Sequence, residues 1–157
     1  MIDGGLGNDT INGGGGPDDI IGGLGSDTII GAAGDDFLLG DDGRQFDEAS
    51  STIQHPGGND TITGGPGNDY LGGEGGNDTL RGQQDTDVVD GFWGNDRVEG
   101  NTGDDLLSGG TGADTLLGGN GVDQCWPELV IITAGSTSPT NGGDSHVGCE
   151  RNNLVLN

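Results

Sequence analysis

Aspartate recurs in this chain with a period of nine. Asp9, Asp18, Asp27 and Asp36 are evenly spaced, and the series resumes at Asp60 and runs through Asp69, Asp78, Asp87, Asp96, Asp105, Asp114 and Asp123. Each closes a six-residue stretch, and all but two of these, 55–60 and 82–87, have glycine at both the first and fourth positions. Those glycines are Gly4 and Gly7, Gly13, Gly22 and Gly25, Gly31, Gly64 and Gly67, Gly73 and Gly76, Gly91 and Gly94, Gly100 and Gly103, Gly109 and Gly112, and Gly118 and Gly121. Without a Cβ the backbone reaches conformations closed to other residues, positive φ included. Such a turn can aim several carbonyl oxygens at one point, and the aspartate adds a carboxylate there. A cage of that kind suits a hard cation that takes 6–8 oxygen ligands at roughly 2.3–2.6 Å, which is calcium, whereas magnesium demands a tighter octahedron and keeps its waters. Transition metals favour His or Cys, and the phrases hold neither except Cys125 and the off-pattern His55.

These turns need short, regular elements to hold them. Two positions after each aspartate stands an aliphatic residue or a cysteine: Ile11, Ile20, Ile29, Leu38, Ile62, Leu71, Leu80, Val89, Val98, Leu107, Leu116 and Cys125. Positions seven to nine of each phrase therefore read as a very short strand with position eight inward and its neighbours outward. From Asp36 to Asp60 the step is nine plus a polar insertion of fifteen, a loop over about residues 41–56. Repeat arrays carry such loops on one face. Met1-Ile2-Asp3 reads as the end of a preceding phrase, so a longer array is expected. The repeat domain spans 1–126. Residues 127–157 contain the strand-like Leu129–Thr133 and read as a C-terminal cap over the last open edge. An even count of two cysteines suggests a Cys125–Cys149 disulfide pinning that cap, and an oxidising compartment; two free thiols are the alternative.

Composition agrees that metal is needed. Of 157 residues, 38 are glycine and only 28% are hydrophobic, and the net charge is −23. Such a chain is disordered unless something else supplies folding energy. The charge excludes nucleic acids, which need a basic face, and disfavours anionic membranes. No apolar run is long enough to span a bilayer.

The phrases "GGLGSDTII" (22–30) and "GGTGADTLL" (109–117) resemble the RTX, or hemolysin-type, nonapeptide G-G-x-G-x-D-x-U-x. The resemblance covers about residues 1–126. It implies an all-β, right-handed parallel β-roll, a β-solenoid of about six coils with two phrases per coil and a C-terminal cap. Turns would stack in two rows, with calcium between successive turns of a row. Twelve turns leave at most ten such sites. Turn eight, "GQQDTD", has Asp85 where glycine is expected, and turn five carries the insertion, so about seven or eight ions are expected. The resemblance further implies a secreted or cell-surface bacterial protein that folds outside the cell on meeting calcium.

Two phrases per coil place odd and even phrases on opposite sheets. Position seven of the odd sheet reads Thr10, Thr28, Thr61, Thr79, Arg97, Thr115, a threonine column open to an ice-binding reading. Position nine breaks any second ladder, and threonine suits exposed strands in any case. The even sheet carries an outward apolar column, Phe37, Tyr70, Val88 and Leu106, a candidate contact with a second copy, a neighbouring domain or the tail. Catalysis has little support: His55 and His146 are the two histidines, and a nearby Ser and Asp are not triad geometry. The expected role is a calcium-binding structural or adhesive spacer and no enzyme. The alternative is an accessory or secretion module of an enzyme or toxin; carbohydrate binding would need more aromatic residues along one groove.

Overall fold

The computed structural model describes residues 1–42, 57–127, 145–147 and 149–150, with side chains described for 1–42 and 57–126. Two parallel sheets face each other. One runs β1 (Ile2–Leu6), β3 (Asp19–Leu24), β5 (Phe37–Leu39), β7 (Tyr70–Gly72), β9 (Val88–Asp90), β11 (Leu106–Gly110), β13 (Asp123–Pro127) and β15 (Cys149–Glu150). The other contains β2 (Thr10–Gly15), β4 (Thr28–Ala33), β6 (Thr61–Pro66), β8 (Thr79–Gln84), β10 (Arg97–Thr102), β12 (Thr115–Asn120) and β14 (Ser145–Val147). The chain alternates between sheets at every turn, which makes an all-β solenoid of about six coils, a β-roll, with no helix among the described residues.

Register follows the nine-residue phrase taken twice. Thr10 pairs with Thr28, Val88 with Leu106 and Thr79 with Arg97. Across the insertion Thr28 pairs with Thr61 and Phe37 with Tyr70, so the loop costs the stack no register. Position eight forms the core: Ile20, Ile29, Leu38, Ile62, Leu71, Leu80, Val89, Val98, Leu107 and Leu116 are each 0% exposed. Ten of the fifteen strands outrun the expected three residues. Thr28–Ala33 has six because pairing continues into the glycine turn, where Gly14 lies opposite Ala32.

Each sheet gains a strand from the tail. β14 pairs with β12 (Leu116 opposite His146) and β15 with β13 (Asp123 opposite Cys149). The insertion from 43 to 56 with His55, the run Leu129–Thr133 and the side chains of His146 and Cys149 lie outside the described residues. No cysteine among the described residues is free, and Cys125 packs against the core. On the outer face of the first sheet, Phe37 stacks on Tyr70 with ring centroids 4.9 Å apart. That contact covers part of the apolar column but leaves Phe37 and Val88 exposed. On the opposite face Glu99 pairs with Arg81 and Arg97 amid the threonines.

Candidate metal centre

The turns stack in two rows, one along each edge of the sandwich. Turns ending in Asp9, Asp27, Asp60, Asp78, Asp96 and Asp114 form the first row, and those ending in Asp18, Asp36, Asp69, Asp87, Asp105 and Asp123 the second. Within a row, one oxygen of every carboxylate after the first is taken by the turn before it. The Asp9 N–H donates to Asp27 Oδ1 at 2.8 Å, Asp60 N–H to Asp78 Oδ1 at 2.8 Å and Asp96 N–H to Asp114 Oδ1 at 2.9 Å. The same bond recurs at every step of both rows, from Asp18 to Asp36 at 2.9 Å and as far as Asp105 to Asp123 at 3.1 Å.

The second oxygen has no such partner. Oδ2 of Asp9, Asp18, Asp27, Asp36, Asp60, Asp69, Asp78, Asp87, Asp96, Asp105 and Asp123 is buried and accepts no hydrogen bond. A buried charge left this way is costly unless a counter-charge meets it. Burial, opposed by the N–H on Oδ1 and reinforced by neighbouring carboxylates, pushes Asp60 and Asp69 from an ordinary value near 3.8 up to about 6. Asp87 and Asp96 rise to about 7 and Asp78 to about 8.

The first glycine of eleven of the twelve turns faces the aspartate Oδ2. A Cβ on Gly13 would lie 2.6 Å from Asp18 Oδ2 and 2.9 Å from the carbonyl oxygen of Gly31, the first residue of the next turn in the row. A Cβ on Gly4 would lie 3.0 Å from Asp9 Oδ2 and 2.5 Å from the Gly22 carbonyl. Gly31, Gly73, Gly91, Gly100 and Gly109 likewise face Asp36, Asp78, Asp96, Asp105 and Asp114, and Gly64 faces Asp69. Each gap is therefore a small cradle of carboxylate and carbonyl oxygen that a methyl group would fill. Position one is glycine for space; positive φ belongs to positions two and four. Gly25 shows the latter: φ is +134°, and a Cβ would run into the Gly7 carbonyl of the turn before. Gly7, Gly67, Gly76, Gly94, Gly103, Gly112 and Gly121 share that conformation.

Both irregular turns keep the pattern. In turn eight, Asp85 and Gln83 adopt φ of 73° and 94°. Asp87 is fully buried, with Oδ1 accepting from Asp69 N–H at 2.9 Å. In turn five, Gly40 takes position one: a Cβ there would meet Asp60 Oδ2 and lie 2.7 Å from the Gly73 carbonyl. Counting nine from Gly31 would have found it. Gly82 faces Asp87 in the same way. A second ladder at position five escaped the sequence reading. The Asn77 N–H donates to Asn59 Oδ1 at 2.7 Å, Asn95 to Asn77 and Ala113 to Asn95, each at 2.8 Å. Its signal was the Asn, Ser or Asp that precedes most of the periodic aspartates.

Among the described residues no three His, Cys, Asp or Glu side chains converge as a metal cluster. A cation in these gaps must take most of its ligands from backbone carbonyls, with carboxylates making up the rest. Oxygen-only ligation of that kind fits calcium. A solenoid whose stacked glycine–aspartate turns hold rows of oxygen cradles is a calcium-binding β-roll. The family model for the RTX calcium-binding nonapeptide repeat matches four stretches, residues 1–20, 12–44, 57–89 and 90–125. The chain belongs to that family. No curated protein matches it.

Proposed function

We propose that this module folds on binding calcium and serves as a spacer in a secreted or cell-surface bacterial protein. The buried, unpartnered Oδ2 atoms of the two rows carry the reading. Without a cation, stacked carboxylates about 4.8 Å apart repel by about 3 kcal/mol per neighbour at an effective dielectric of 20. Binding energy then becomes folding energy. Ten gaps would hold at most ten calcium ions, enough to offset most of the −23, and the regular geometry of turns five and eight favours a count above the seven or eight read from sequence.

Calcium is abundant outside cells and scarce inside, which supports export unfolded and folding outside. A Cys125–Cys149 disulfide fits that setting, supported by the absence of a free cysteine among the described residues and by the pairing of β15 with β13. Strands β14 and β15 then act as the C-terminal cap. The exposed part of the column Phe37, Tyr70, Val88 and Leu106 favours a second reading, docking against a neighbouring domain such as an enzyme or toxin. Small-angle scattering tests the coupling. The radius of gyration should fall from about 40 Å without calcium to below about 20 Å with it. Equal compactness in both conditions would end the proposal.

A further inference from the structure

Asp41 has no counterpart in the other turns. It occupies position two of turn five, after which the chain departs into the insertion. Elsewhere that position takes positive φ even when it is not glycine, as at Ala32, Glu74, Gln83, Phe92 and Asn101. Asp41 does not, and it is only 1% exposed. Its carboxylate lies between turns five and seven, with Oδ1 3.4 Å from the Gly58 N–H and Oδ2 3.4 Å from the Gly75 N–H. Both distances are long for charge-assisted bonds, which run at roughly 2.7–2.9 Å.

Further along the row the equivalent amides are satisfied by backbone. The Trp93 N–H donates to the Glu74 carbonyl at 2.8 Å and the Thr111 N–H to the Phe92 carbonyl at 2.7 Å. A neutral acceptor therefore suffices to splice a turn, and Asp41 brings a full charge. That charge borders a gap that already holds Asp60 Oδ2, buried and without a hydrogen-bond partner, beside the Gly73 carbonyl. Asp41 Oδ2 itself stands, with the Gly75 carbonyl, where a Cβ on Gly57 would fall. Burial first, and then the charge of Asp60, destabilise the Asp41 carboxylate in the absence of a cation.

We propose that Asp41 gives the gap between turns five and seven one carboxylate more than any other gap, so that this gap binds calcium most tightly and fills first. The proposal rests on the calcium reading above. Calcium affinity in oxygen sites rises with the number of charged ligands, and the extra ligand sits where the insertion interrupts the repeat.

Chelator-competition titration with calcium on the whole chain tests this. The unmodified chain should show one ion bound more tightly than the rest. In Asp41→Asn and Asp41→Gly, affinity for that ion should fall on the order of 10- to 100-fold, with the weaker ions little changed. Unchanged top affinity in the folded variants would overturn the role of Asp41. No calcium binding by the unmodified chain would instead remove the underlying reading, and that is seen before any variant is made. Should the variants stay unfolded in saturating calcium, the unmodified chain decides: crystals loaded with one equivalent of terbium should place its anomalous peak beside Asp41 and Asp60. A first peak at any other gap overturns the proposal.

Discussion

Alanine at Gly13 and alanine at Gly15 differ by one methyl group placed two residues apart in the same turn, and the account separates them sharply. At Gly13 the new Cβ would lie 2.6 Å from Asp18 Oδ2 and 2.9 Å from the Gly31 carbonyl, inside the cradle. At Gly15 nothing lies within 4 Å, and Ala33 already occupies the paired position in the next turn. Forcing a methyl into a packed site costs about 1–3 kcal/mol. Losing an ion held at a hundred times its Kd forfeits about 2.7 kcal/mol more. The sum is about 4–6 kcal/mol. With about ten ions bound on folding, a tenfold change in calcium is worth about 14 kcal/mol, so the folding midpoint should move about two- to threefold higher in calcium. Equilibrium dialysis should find about one ion fewer for Gly13→Ala, while Gly15→Ala should match the unmodified chain in both respects. Identical ion counts and midpoints for the two variants would refute the cradle.

Protons should substitute in part for calcium. The folded-state values of Asp60, Asp69, Asp87, Asp96 and Asp78 lie at about 6 to 8, above the ordinary 3.8. Between those limits the fold holds more protons than the unfolded chain, so metal-free stability is greatest near pH 4 and falls as pH rises through 6 to 8; circular dichroism in chelator across that range checks it. Calcium affinity should rise over the same window, as titrations at pH 5.5 and 7.5 would show. Leu107→Ala, at a position fully buried in the core, should cost about 2–5 kcal/mol in urea unfolding of the calcium-saturated chain. Asp87→Asn, in the turn whose sequence departs from the pattern, should lower the ion count as much as Asp36→Asn does, measured by the same dialysis.

The aspartate period, the inward aliphatic column and the alternation of faces were all legible because one phrase recurs in phase and each phrase does the same physical work. Thr10 opposite Thr28 and Phe37 opposite Tyr70 follow directly from it. What escaped the pattern depends on stacking or on the local path of the chain. The Asn59–Asn77–Asn95 ladder arises between turns eighteen residues apart and accepts several residue types. Turn eight looked defective because Asp85 replaces glycine, yet φ of 73° is open to an aspartate. Asp41 was hidden because the repeat template has no carboxylate ligand at position two, and its burial is seen only in the stacked turns. The tail strands Ser145–Val147 and Cys149–Glu150 are short, and His146 stands opposite Leu116 where the repeat strands carry an aliphatic residue or cysteine.

The most direct test of the central claim is far-UV circular dichroism of the whole chain during a calcium titration, with magnesium run in parallel. The account predicts a cooperative gain of β signal with calcium and little change with magnesium at equal concentration. A β signal already complete in chelator at neutral pH, or one raised equally by magnesium, would contradict it.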